Sequence, residues 1–132
     1  FLIQINNIMA IPTEFQTATP YLILNNCVKF IQMMQTLFQA EITEQHLREE
    51  DNTKIMHAEL KIGNAVIMCA DSNEMWNAQP AGIFIYVHNA DVSYQKALDL
   101  GCTTIMNLCD QHYGRTCGVQ DEFGNTWWIT SV

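Results

Sequence analysis

The chain has 132 residues, 48% of them hydrophobic, and a formal net charge of −8. That length fits one compact domain with an ample core, so the composition argues against disorder. Six Lys plus Arg, scattered singly among fourteen Asp plus Glu, make no basic patch; this argues against nucleic acid and anionic membrane surfaces as partners, and no apolar run is long enough to span a bilayer.

Residues 1–8 lack a basic n-region and do not read as a signal peptide. Met9-Ala10-Ile11-Pro12 looks like a natural start, which places residues 1–8 upstream of it; residues 1–16 are read as an N-terminal extension. The first strand is Thr19-Pro20-Tyr21-Leu22-Ile23-Leu24, with proline where a lost donor is tolerable. Asn25-Asn26 can cap the next element. Cys27, Phe30, Ile31, Met34 and Phe38 follow as one helical stripe that packs on a sheet. Glu41 to Glu50 reads as a strand with a polar face, and Glu49 to Asn52 as a loop. From Ile55 the alternation predicts Met56, Ala58, Leu60 and Ile62 on one face and His57, Glu59 and Lys61 on the other. Gly63-Asn64 is a tight hairpin turn, and Ala65 to Ala70 a buried strand. Asp71 to Gly82 is a polar connector, in which Trp76 either staples the loop or lids a pocket.

The order then repeats. Ile83 to Val87 is a strand, and Asn89 or Asp91 caps a helix with the stripe Ala90, Tyr94, Ala97 and Leu98. Gly101 sits at a helix C-terminal glycine position. Thr103 to Met106 is a strand, Asp110 to Arg115 a polar loop, Thr116 to Gln120 a strand, and Gly124-Asn125 turns into Thr126 to Ser131. Gly63 and Gly124 stand in matching turns 61 residues apart. Aligned on the turns, Met56 falls on Cys117, Ile62 on Phe123 and Asn64 on Asn125. Aligned on the first strands, Leu22 falls on Phe84. Each half is strand, helix, strand, strand, strand. The fold class is therefore α+β: two βαβββ modules, about 17–75 and about 80–132, whose curved mixed sheets enclose a cleft with helices on the outer face. A cleft between similar halves suits a small ligand.

The phrases Thr19-Pro20-Tyr21-Leu22, Ile55-Met56-His57-Ala58-Glu59-Leu60-Lys61-Ile62-Gly63, Asp110-Gln111-His112-Tyr113-Gly114-Arg115 and Asp121-Glu122-Phe123-Gly124-Asn125-Thr126-Trp127-Trp128 carry a resemblance. Over residues 17–132 the chain resembles the vicinal oxygen chelate superfamily of glyoxalase I, bleomycin-resistance proteins and extradiol dioxygenases, closest to its PhnB-like branch. Glu122 stands where proline is common in such turns. The resemblance implies a homodimer, with the cleft built within one chain or across two. In glyoxalase-like members a divalent metal is held by His, Glu or Gln from the first and last strands of each half. The matching positions here are Trp128, Ile67 or Met68, and those near Thr19 and Gly82. None is a carboxylate or imidazole, so no metal and no other cofactor is expected. An aromatic-lined cleft that binds a small molecule without metal is the leading reading, with Met68, Trp76, Tyr113, Arg115 and Trp128 as ligand-binding candidates; bleomycin-resistance proteins bind without catalysis. The resemblance implies that Trp128 faces the cleft, as an aromatic wall or packing the pocket shut, and that Trp127 and Ile129 face the helix. The alternative is a metal-dependent lyase, isomerase or dioxygenase with atypical ligands.

His57 beside Glu59 is a candidate catalytic base, or a solvated sheet-surface histidine. Arg115 pairs either with an anionic ligand or with one of the acids. No glycine-rich nucleotide loop is present for a methyl donor, so methylation of a quinone does not follow from the branch's usual label. The five cysteines lack a C-x-x-C pair, which suits reduced thiols in a cytoplasmic protein rather than zinc.

Overall fold

The structure is a computed structural model describing residues 12–132; the expected start at Met9 lies outside the described residues. Two strand-helix-strand-strand-strand units follow one another. The first is β1 (Tyr21–Leu24), α1 (Cys27–Phe38), β2 (Glu41–Leu47), β3 (Ile55–Ile62) and β4 (Ala65–Asp71). The second is β5 (Gly82–Tyr86), α2 (Ala90–Asp99), β6 (Thr103–Gln111), β7 (Gly114–Gln120) and β8 (Thr126–Ser131). Each unit forms a four-stranded mixed sheet, in the orders β1-β4-β3-β2 and β5-β8-β7-β6. In each, the first strand lies parallel to the last and the other pairings are antiparallel.

The helices form where the stripes place them. Asn26 caps α1, accepting from the Lys29 amide at 3.3 Å, and Asn89 caps α2, accepting from Val92 at 3.2 Å. Helix α1 buries Cys27, Phe30, Ile31, Met33, Met34, Leu37 and Phe38; full burial of such a side chain contributes about 2 kcal/mol. Gly101, at φ +96°, ends the α2 turn in a conformation that favours glycine.

The two units also share one core. Phe30 and Phe38 of α1 pack on Trp127 of β8, with ring centroids 6.4 and 5.1 Å apart, and Phe30 meets Phe123 edge-on at 5.6 Å. Trp127 and Ile129 are fully buried in this core, as expected. The rings of Phe30 and Phe38 thus join α1 to both sheets, and the opposite face of each sheet carries no helix.

Equivalent contacts tie each helix to its sheet. The end of the last strand receives the first helical amide: Asp71 Oδ1 accepts from Cys27 N at 2.9 Å, and Ser131 Oγ accepts from Ala90 N at 3.0 Å. Asp71 also accepts from Ile55 N at 2.7 Å through its other oxygen.

Three local expectations change. Strand β2 ends at Leu47 rather than Glu50. Met56 is 48% exposed while Ile55 is buried, because the pairing steps from His46–His57 to Leu47–Ile55 and skips Met56; this bulge reverses the face of the residues before it. The segment Asp110 to Arg115 is not a long loop: β6 runs to Gln111, β7 starts at Gly114, and His112-Tyr113 alone make the turn.

The turn after β7 is built on one carboxylate. Asp121 is 4% exposed and accepts from the amides of Phe123 and Asn125 at 2.9 Å each, from Asn125 Nδ2 at 3.1 Å and from Trp127 Nε1 at 2.9 Å. Asn125 Oδ1 in turn accepts from Ala81 N at 3.0 Å, fixing the connector to the turn. Asp121→Ala leaves several buried donors without partners and is expected to cost about 3–5 kcal/mol in urea unfolding. A loss below about 1 kcal/mol would show that the turn holds without its carboxylate.

Candidate functional site

Strand parity decides what the open faces carry. In β5, Ile83 and Ile85 turn to the core, so Phe84 and Tyr86 project from the other face and are 47% and 65% exposed. In β8, Trp127 takes the core side and Trp128 the open side. Phe84 and Trp128 are cross-strand partners. Trp128 is also paired with Gly118 of β7, and its indole lies directly on that glycine, where a Cβ would collide with the ring. Tyr113, in the β6–β7 turn, reaches Phe84 at 6.1 Å, and Phe84 meets Tyr86 edge-on at 5.2 Å. The second sheet therefore presents an aromatic wall of Phe84, Tyr86, Tyr113 and Trp128. Phe84, Tyr86 and Gly118 were not singled out from the sequence. The alternation of aliphatic and aromatic residues in Ile83-Phe84-Ile85-Tyr86 was the available signal.

The open face of the first sheet carries hydrogen-bonded polar groups. His57 Nε2 lies 2.8 Å from Glu59 Oε2, and His57 Nδ1 lies 2.8 Å from the Tyr21 hydroxyl. Glu59 is only 8% exposed. Desolvation holds the Tyr21 phenol above its ordinary value. His46 and Glu44 pair beside them on β2 at 2.7 Å, and that hydrogen bond holds the Glu44 carboxyl below its ordinary range. Met68 lies on this face, in register with Tyr21 on one side and Glu59 on the other. The expected neighbours His57 and Glu59 are thus in direct contact, and Tyr21 is the partner the sequence did not disclose.

Other candidates separate from these faces. Arg115 turns toward α2 and holds Asp91 at 2.8 and 3.2 Å and Asp110 at 3.1 Å. Its hydrogen bonds hold the Asp91 carboxyl low and raise its own guanidinium further, so it serves an acid of the protein itself. Trp76 is 60% exposed, and its amide donates to Asn73 Oδ1 at 2.7 Å. The five cysteines are free, and only Cys109 is not buried. Burial pushes the Cys102 and Cys117 thiols up to about 11, which disfavours the nucleophilic thiolate.

A concavity of about 610 Å³ lies between the end of α1, the β3–β4 turn, β5 and the start of α2. Its walls mix aliphatic, aromatic and polar residues and hold neither the His57 group nor Trp128. Phe84 and Tyr86 border it where it passes the free edge of β5.

A glyoxalase-type metal calls for donors on the first and last strands of each unit. The in-register open-face pairs there are Tyr21 with Met68 and Phe84 with Trp128. Of the two first-unit alternatives, Met68 is therefore the counterpart of Trp128, since Ile67 is in the core. Phenol, thioether, phenyl and indole do not make the oxygen and nitrogen donor set of a hard divalent ion. Among the described residues no group of three or more His, Cys, Asp and Glu side chains is placed to hold an ion. No helix of the described residues is long and apolar enough to cross a membrane.

No known family profile matches the chain. An uncharacterized protein of Mycobacterium bovis is 28% identical over 131 residues, covering 90% of this chain and 84% of that protein. Among solved structures, a putative 3-demethylubiquinone-9 3-methyltransferase, PhnB protein, from Bacillus cereus superposes with a TM-score of 0.73 at 20% identity, over 89% of this chain and all of that one. The fosfomycin resistance protein FosX from Listeria monocytogenes, complexed with Mn(II) and sulfate, superposes with a TM-score of 0.67 at 14% identity, over 92% of this chain and 91% of that one. These likenesses concern the fold, and with the paired strand-helix-strand-strand-strand units they make the chain a bearer of the vicinal oxygen chelate fold.

Proposed function

We propose that the protein binds a small planar or apolar molecule against the aromatic wall of its second sheet, without the divalent metal of glyoxalase-like relatives. The observation that carries this reading is the grouping of Phe84, Tyr86, Tyr113 and Trp128 on an exposed sheet face. Aromatic surface of this size gains by covering, and it offers stacking without charge. The net charge of −8 disfavours an anionic ligand.

A homodimer follows in the same reading. In it a second chain would supply the opposite wall of a cleft whose first wall is the aromatic face. The metal-dependent alternative has the Mn(II) complex of FosX in its favour and the donor set at the strand pairs against it.

Titration with the neutral naphthalene fluorophore 6-propionyl-2-dimethylaminonaphthalene tests the wall. Trp128→Ala is expected to weaken binding by about tenfold, the loss of one good aromatic contact, while light scattering shows the oligomeric state unchanged. Equal affinities in the two proteins would remove Trp128 from the site. Metal analysis of the purified protein, with melting measured in zinc, nickel, manganese and iron(II), tests the alternative; a stoichiometric ion that raises the melting temperature would favour it.

Gly118→Ala probes the same wall from beneath. The added methyl must displace the indole, at a cost of about 1–3 kcal/mol, with a shifted tryptophan emission and weaker fluorophore binding. Unchanged emission and binding would mean that Trp128 does not rest on Gly118.

A further inference from the structure

We propose that Tyr21, His57 and Glu59 form a proton-transfer site on the open face of the first sheet, acting on uncharged organic molecules with a weakly acidic C–H bond. This does not rest on ligand binding at Trp128. It concerns the other sheet and is read by a different measurement.

The geometry sets the order of the groups. A carboxylate only accepts hydrogen bonds, so the 2.8 Å contact with Glu59 places the imidazole proton on His57 Nε2. Neutral His57 then has its lone pair on Nδ1, and the Tyr21 hydroxyl, 2.8 Å away, donates to it. Tyr21 is half exposed whereas Glu59 is buried, and the phenol oxygen, while donating to His57, keeps lone pairs able to accept a further hydrogen bond. The groups are thus ordered by depth, from a buried carboxylate through a half-buried imidazole to a phenol at the surface.

Contact between Tyr21 and His57 requires a reach over β4, the strand between them. The β4 residue level with Tyr21 is Met68, and the next on that face is Ala70, paired with Ile23; the Tyr21 and His57 rings approach to 5.5 Å between centroids. A phenol-imidazole-carboxylate line that runs from the surface to a buried carboxylate is more than a solvated surface histidine requires.

The step balances without an oxidant or a cofactor. The substrate C–H bond breaks and its proton bonds to the Tyr21 oxygen. The Tyr21 O–H bond breaks in concert and that proton bonds to His57 Nδ1. The electron pair stays on the substrate carbon, and Glu59 faces the imidazolium that forms. Return of the proton to another carbon or to water completes a cycle. The choice of a carbon acid follows from rates: O–H and N–H protons exchange with water unaided, so a positioned relay changes only the slow C–H case. The choice of an uncharged molecule follows from Glu44 and Glu59 beside the site.

Ring opening of 5-nitrobenzisoxazole, a flat neutral probe, reports such a base directly. Loss of its C–H proton breaks the N–O bond and releases the coloured 2-cyano-4-nitrophenolate. The wild-type protein is expected to exceed equimolar free imidazole by at least about tenfold, and Tyr21→Phe and His57→Gln each to remove at least about nine-tenths of the excess. His88→Gln should leave it unchanged. Glu59 acts through His57 and is a positioning residue. Glu59→Gln should lower the rate and shift the His57 ¹⁵N resonances away from a single Nε2–H tautomer. Tyr21→Phe removes one half-exposed hydroxyl, so its folded state, checked by circular dichroism, keeps the test interpretable. A wild-type rate no greater than that of imidazole, or folded Tyr21→Phe and His57→Gln proteins that keep the wild-type rate, would overturn the proposal.

Discussion

Trp127 and Trp128 are adjacent and face opposite ways, and the molecule depends on that parity. Trp127 stacks under α1 and gives its indole N–H to Asp121. This leaves Trp128 no place but the far side of the sheet. The anchoring of one ring thus fixes the exposure of the other, and through cross-strand register it also fixes Phe84 and Gly118 beneath and beside it. A slip of one residue would exchange core and wall along the whole strand. The buried carboxylate of Asp121 is what resists such a slip, because the turn amides and the Trp127 ring converge on it together.

Much of the fold was legible because burial writes itself into spacing. The stripe of Cys27, Phe30, Ile31, Met34 and Phe38 predicts α1, and all five are buried. The repeat was legible too, but its register was not. Placing Leu22 on Phe84 matches a core residue to an open-face one. The helices begin at Cys27 and Ala90, and that spacing instead makes Tyr21 the counterpart of Phe84; strand pairing makes Met68 that of Trp128. The two spacings differ because the units differ in loop and bulge length between helix and turn. Composition cannot reveal such changes, since a bulge such as that at Met56 depends on which residue the partner strand skips.

The site was legible only where it was local. His57 and Glu59 stand two apart on one strand, so alternation alone brings them to one face. Tyr21 is 36 residues away in sequence from His57 and joins it only because β1 and β3 flank β4. Arg115 went the other way. The sequence left this basic residue open between an anionic ligand and one of the protein's own acids, and strand parity decides for the helix side and Asp91. Charge type without facing is a weak guide, because a strand offers two opposite destinations to every side chain.

The duplicated unit has diverged in chemistry while keeping its frame. Each last strand ends by receiving the first amide of its helix, through Asp71 in one unit and Ser131 in the other, so the scaffold contact survives a change from carboxylate to hydroxyl. The open faces have no such shared constraint. Where one sheet pairs Tyr21 with Met68 and sets His57 and Glu59 alongside, the other pairs Phe84 with Trp128 over a glycine. One face carries a linked phenol, imidazole and carboxylate and the other a group of neighbouring aromatic rings. Facing each other across two chains they would form unlike walls of a single cleft, one able to stack a flat molecule and the other able to move its proton. Identical walls could do only one of these things, whereas under the proposed reading unlike faces on one repeated frame would serve both.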